Sequence, residues 1–155
     1  MENSVVKFVL QRCDSAQLDA PTDDLSPVSI GKGILVYVCF TGVCDTDRLQ
    51  FIAEKLCNLK ILKSDAGEKS CKCLMNSSDF ELLLIPQFCL IGKYKKDAFQ
   101  YHSAVEKSAA KSLFEGLVEL TKCLLGSTRV KSGYYGHVQL LSTKTSGPFT
   151  HVLEL

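Results

Sequence analysis

The sequence has no excess of one charge, no very long apolar run and little proline. Its formal net charge of +1 argues against a strong polyanion binder and equally against an acidic chain. Any contact with nucleic acid must therefore come from a local patch. No apolar stretch reaches the length of a membrane span, so no membrane partner is expected. Internal repeats, low-complexity tracts and linkers are missing as well. At 155 residues, the chain is expected to form one domain, 1–155, around one sizeable core. The first residues, "MENSVVKFVLQ", lack the basic stretch and apolar core of an export signal, so the expected location is cytoplasmic.

In that compartment the eight cysteines are expected as free thiols. Cys39, Cys57 and Cys123 fall on apolar faces and read as small buried hydrophobes. "CKC" at 71–73 has no second Cys/His pair at zinc-site spacing. No metal is expected, and no cofactor.

What is present is a run of apolar strands with two amphipathic segments. "VVKFVLQRC" (5–13) and "ILVYVCF" (34–40) read as strands, the second buried on both faces. Between them "SPVSIGKG" gives a short strand and a tight Gly31-Lys32-Gly33 turn, without the spacing of a phosphate loop. Residues 45–60 predict a helix, because Leu49, Ile52, Ala53 and Leu56 share one face and Asp45 or Thr46 can cap it. A short strand at 60–64 and a polar loop at 65–72 follow. Residues 79–93 predict a second buried strand, interrupted by Pro86. The longest helix is predicted over 103–126, with Ala110, Leu113, Leu117, Leu120 and Leu124 on one face and Gly126 as its cap. Strands at 134–143 and 149–155 close the chain. The fold class is α/β: mixed β-sheets, layered and barrel-like, with two main helices.

Several residues invite a chemical reading beside a plainer one. Pro86 and Pro148 interrupt apolar strands. They mark either bulges or backbone held free for a ligand. Cys89 is either a nucleophile, with His102, His137 or His151 as base, or an inert thiol. "KYKKDAFQYH" (93–102) interleaves Lys93, Lys95 and Lys96 with Tyr94, Phe99 and Tyr101. It reads either as a phosphate and base contact or as a solvated loop.

Two short motifs decide the reading. "PQFCL" (86–90) resembles the S-Q-F-T-L motif of the D-aminoacyl-tRNA deacylase family, and "GPFT" (147–150) resembles its G-P-V-T. "VLQRC" and "IGKGILVYV" resemble further stretches of the same family. Pro86, "QYHS" (100–103) and "TSGPFTH" (145–151) follow its animal-type branch, the Animalia-specific tRNA deacylases. Phe88 and Arg12 follow the family's other branch, whose members admit D-residues and glycine, and Cys89 follows neither.

The resemblance implies a proofreading esterase that removes wrongly attached amino acids from tRNA. It implies a homodimer in which Gly147-Pro148 of one subunit enters the pocket of the other and selects the substrate, with Pro86 and Arg12. Backbone N–H groups around Gln87, Phe88, Cys89 and Leu90 would serve catalysis, and the ribose 2′-OH of the tRNA would help activate water. Pro86 and "TSGPFTH" imply a trans Gly147-Pro148 peptide, whereas Arg12 implies cis; trans is the expectation. A non-catalytic binder of the tRNA acceptor end, or a Cys89-dependent hydrolase, are the competing readings.

Overall fold

The computed structural model describes residues 3–63 and 71–155. The chain runs β1 (Val6–Cys13), β2 (Ser15–Leu18), β3 (Val28–Ile30), β4 (Gly33–Phe40), α1 (Thr46–Cys57), β5 (Leu62–Lys63) and β6 (Cys71–Lys72). It continues through β7 (Glu81–Pro86), β8 (Lys93–Lys95), β9 (Ala98–Gln100), α2 (Lys107–Leu125), β10 (Val130–Ser132), β11 (Leu141–Lys144) and β12 (Thr150–Glu154). Short 3-10 turns lie at Leu74–Asn76 and Phe88–Ile91.

A five-stranded sheet in the order β10-β7-β4-β1-β12 forms the middle layer. β4 pairs parallel with β7 and antiparallel with β1. The side chains of β4 explain its unbroken apolar run. Ile34, Val36, Val38 and Phe40 face one core cluster with α1 and α2, while Leu35 and Tyr37 face a second with β2 and β3. β7 divides the same way, with Leu82 and Leu84 on the helix side and Leu83 and Ile85 on the other. A strand sealed on both faces has no polar side to show, hence no alternation. The layered mixed sheet with two main helices is thus what the composition of these strands dictates.

α1 behaves as its pattern predicts: Leu49, Ile52, Ala53 and Leu56 are buried, and Asp45 accepts the Arg48 N–H at 2.8 Å as N-cap. α2 departs from prediction in two respects. It starts four residues later, because Glu106 caps the N–H groups of Ser108 and Ala109, each at 3.2 Å. Its most buried face carries Phe114, Leu117, Val118, Thr121 and Leu125, while Ala110, Leu113, Leu120 and Leu124 are only half-buried. Thr121 can sit there because its hydroxyl donates to the carbonyls of Leu117 and Val118.

Other expectations are corrected. Residues 134–140 form turns rather than strand, and only 141–144 pair, with β2. The strand predicted over 79–93 ends at Pro86. The loop read over 93–102 contains the β8–β9 hairpin. Cys123 is exposed, whereas Cys39 and Cys57 are buried as expected; all seven described thiols of known burial are unpaired. The polar loop at 65–72 lies mostly outside the described residues.

Candidate functional site

β7 delivers the first motif. Pro86 is level with Val38 on β4, and the Gln87 N–H makes the last rung by donating to the Val38 carbonyl at 2.8 Å. Proline cannot continue the ladder, and the chain tightens into the 3-10 turn Phe88–Ile91. Leu90 N–H points back to the Gln87 carbonyl at 3.4 Å, and Gly92 N–H donates to Cys89 O at 3.1 Å. The first N–H groups of such a turn have no partner within it, which leaves those of Phe88 and Cys89 as donors.

This turn is one wall of a cavity of about 320 Å³. Pro86 lines it from β7, and Gln87 and Phe88 from the turn; Val38 and Phe40 come from β4, and Ala110 and Phe114 from α2. Tyr135, 5.8 Å from Phe114 between ring centroids, closes the floor, and Lys107 and His137 stand at the rim. No carboxylate lines it among the described residues. Cys39 lies behind the turn, its thiol 3.7 Å from the Phe88 carbonyl, and burial pushes that thiol's pKa up. Outside the turn, Phe88 stacks on Tyr101 at 5.0 Å. Phe114, Tyr135 and Lys107 escape a sequence reading because they reach the cavity from distant segments with no local signature.

Cys89 is exposed, and no histidine is hydrogen-bonded to it among the described residues. His102 lies exposed in a turn and His151 exposed on β12, while His137 packs edge-on against Tyr134 at the cavity rim. Within one chain, and among the described residues, no histidine is hydrogen-bonded to this thiol as a base would be.

Lys93, Lys95 and Lys96 are all exposed on the β8–β9 hairpin. Opposed residues of an antiparallel pair share a face. Tyr94 and Phe99 are opposed and meet edge to face at 6.3 Å, so Lys93 and Lys95 occupy the other face. Lys96 and Asp97 form the tip, both with positive φ.

The second motif lies elsewhere. The loop before β12 is tied to the end of β1: Arg12 N–H donates to Phe149 O at 3.1 Å, Thr145 Oγ1 to Arg12 O at 2.7 Å, and Ser146 Oγ to Asp14 Oδ2 at 2.6 Å. Arg12 also places its guanidinium carbon 3.6 Å from the Phe149 ring centre. Gly147 has φ +126°, and a Cβ there would meet Phe149 at 2.4 Å, so only glycine suits the position. The Gly147-Pro148 peptide is cis, which corrects the trans expectation. Arg12 is the side chain packed against this loop.

Register places the two motifs at opposite ends of the sheet. Pro86 is level with Val38, Phe8 and Leu153. Phe149 is level with Arg12, Ile34 and Leu82, at the start of β7. Four residues along the strands and three strands across separate them by roughly 20 Å. Within one chain they do not meet.

Comparison with known proteins identifies the family. A zebrafish (Danio rerio) protein named D-aminoacyl-tRNA deacylase 2 is 32% identical over 96% of this chain and 98% of its own length. Its human (Homo sapiens) namesake is 32% identical over 96% and 94%. A solved structure described as a probable eukaryotic D-amino acid tRNA deacylase superposes with a TM-score of 0.85, covering 97% of this chain and all of its own. At 22% identity it speaks for the fold. The family model described as D-Tyr-tRNA(Tyr) deacylase matches residues 9–154, which include both motifs. The chain therefore belongs to the D-Tyr-tRNA(Tyr) deacylase family of aminoacyl-tRNA ester hydrolases.

Proposed function

We propose that the protein is a proofreading esterase working as a homodimer. It removes from tRNA a D-amino acid, or a small residue such as glycine or misplaced L-alanine. The observation that carries this reading is the separation of the motifs. "PQFCL" lines a cavity, and "GPFT" projects about 20 Å away on the same sheet. A second copy supplies the missing wall by inserting its Gly147-Pro148 loop.

The cavity favours ester hydrolysis without a protein nucleophile. An activated ester needs a placed water and oxyanion donors more than a strong base. The N–H groups of Phe88 and Cys89 are donors of the right kind. The 2′-OH next to the ester supplies the proton acceptor that the carboxylate-free lining lacks. Carbonyls of the partner's Gly147-Pro148 act as a rigid filter, refusing a larger side chain of the L hand. Lys93, Lys95 and Lys96, on the hairpin that follows the turn, meet phosphates of the acceptor stem.

The test is a deacylation panel of D-aminoacyl-, glycyl-, L-alanyl- and a bulky L-aminoacyl-tRNA, run with the native chain and with Cys89→Ala. Turnover of at least one of the first three classes and none of the bulky L-aminoacyl-tRNA, retained in Cys89→Ala, is the expected result. Abolition in Cys89→Ala moves the reading to a thiol hydrolase. Binding without turnover in both forms moves it to an acceptor-end binder.

A further inference from the structure

Beside the Gly147-Pro148 loop lies a second cavity, of about 250 Å³, that contains no part of the "PQFCL" motif. Arg12, Lys32 and Lys63 line it, against one carboxylate, Asp14. We propose that Lys32 and Lys63, with Arg12, form an anion site for the phosphodiester backbone of the single-stranded 3′ end of tRNA. The proposal rests on the dimeric reading above, which brings this loop to the partner's cavity. The lysines then act across the interface, on tRNA whose ester lies in the other subunit.

Among the described residues the three lining cations outnumber the one lining carboxylate, Asp14, and the neighbouring Glu81, so the wall stays net positive. Asp14 accepts the Ser146 hydroxyl at 2.6 Å. Glu81, next to the cavity, accepts the Gly31 N–H at 3.0 Å. Neither lysine is ion-paired among the described residues. Arg12 is held by an aromatic face, not by an acid.

The lysines are also well anchored. Lys32 stands in the Gly31-Lys32-Gly33 turn, where its carbonyl accepts the Glu81 N–H at 3.0 Å. A Cβ at Gly33 would lie 1.9 Å from the Glu81 carbonyl oxygen, so the turn is pressed onto β7. Lys63 sits on β5, paired with Cys71 through the backbone. A surplus of cations on hydrogen-bonded backbone, walled by a loop that in the dimeric reading meets the substrate's ester end, suits a phosphodiester. An apolar or acidic wall would not.

The experiment measures binding of a non-acylated RNA minihelix ending in single-stranded CCA, by fluorescence anisotropy with the full-length chain. Lys32→Ala/Lys63→Ala is compared with the native chain and with Lys111→Ala, a surface lysine on α2 facing Glu115. The double variant is expected to bind about 5-fold weaker at moderate salt, with the slope of log K against log salt lower by about 1.4, two single-strand phosphates. Lys111→Ala should alter neither, and Lys32→Arg/Lys63→Arg should restore both. An unchanged slope in the double variant overturns the proposal. So does an equal loss for a blunt minihelix lacking the CCA end, or a response to inorganic phosphate alone. Because the RNA carries no amino acid, the answer does not depend on turnover. A chain without esterase activity can still pass, and an active esterase can still fail.

Discussion

At the scale of single residues, the core is held by a few side chains whose replacement has a readable cost. Arg129 donates to the carbonyls of Phe80 at 3.0 Å, Leu125 at 3.4 Å and Leu74 at 2.9 Å, and also to Ser77. It thereby joins the end of α2 to the 3-10 turn and the start of β7. Arg129→Met keeps much of the bulk but strips these carbonyls of their donor. The expected loss is about 3 kcal/mol, read as a lower urea midpoint with unchanged slope. Cys57 offers a pH test. Burial raises its thiol from the ordinary 9.0 to about 12. Between those values the unfolded chain loses the proton and the folded chain keeps it. Stability should therefore fall as pH rises from 9.0 towards 12, by about 1.4 kcal/mol per pH unit from this group. Cys57→Ala should flatten that alkaline decline; an equally steep decline in the variant would assign it to other groups, Cys13 among them, raised to about 11 by burial.

At the scale of elements, what could be read from the sequence depended on whether the deciding contacts were local. α1 was legible because burial of Leu49, Ile52, Ala53 and Leu56 follows from one periodic face. β4 and β7 were legible as doubly buried strands because their apolar runs are unbroken, with both faces in a core. The segment 134–140 was not. Val138 and Leu140 look like strand residues, yet they are 97% and 67% exposed. Gln139 decides the conformation instead, accepting the Tyr134 N–H at 2.7 Å and donating to the Asp19 carbonyl at 3.1 Å. Such a long-range amide clamp has no sequence period. β2, "SAQL", is too short and mixed to stand out, and exists by pairing with β3 and β11. The site was legible through its two motifs, while Phe114, Tyr135 and Lys107 were found only by folding. The Gly31–Gly33 turn gives a prediction at this scale. Gly33→Ala drives a methyl into the Glu81 backbone, whereas Gly31→Ala meets only the end of the Glu81 side chain at 3.5 Å. Gly33→Ala should cost about 3 kcal/mol or more, and Gly31→Ala well under about 1 kcal/mol. Similar urea midpoints for both would mean that β4 and β7 can part without loss.

At the scale of the whole molecule, the chain presents an incomplete surface. β12 is an edge of the sheet, with Val152 64% exposed, and Phe149 beside it is 48% exposed. With Val138 and Leu140, these leave the C-terminal quarter unusually apolar for a monomer. A symmetric pair would cover that surface and exchange the two Gly147-Pro148 loops. Val152→Asp should then yield a monomer by light scattering at micromolar concentration, folded but without deacylase activity. A sharper test uses two inactive variants. Ala110→Phe fills the cavity beside "PQFCL" and leaves the loop intact. Gly147→Ala breaks the loop, where φ is +126°, and leaves the cavity intact. If loop and cavity work within one subunit, no mixture of the two has a complete site. If they work across the interface, a mixed dimer has one complete site, the intact cavity of one chain closed by the intact loop of the other, and one doubly broken. Random reassembly of equal amounts makes half the dimers mixed, so about a quarter of native activity should return. Recovery of that size requires exchange of loops between subunits, and an inactive mixture whose mixed dimers have been demonstrated would rule it out.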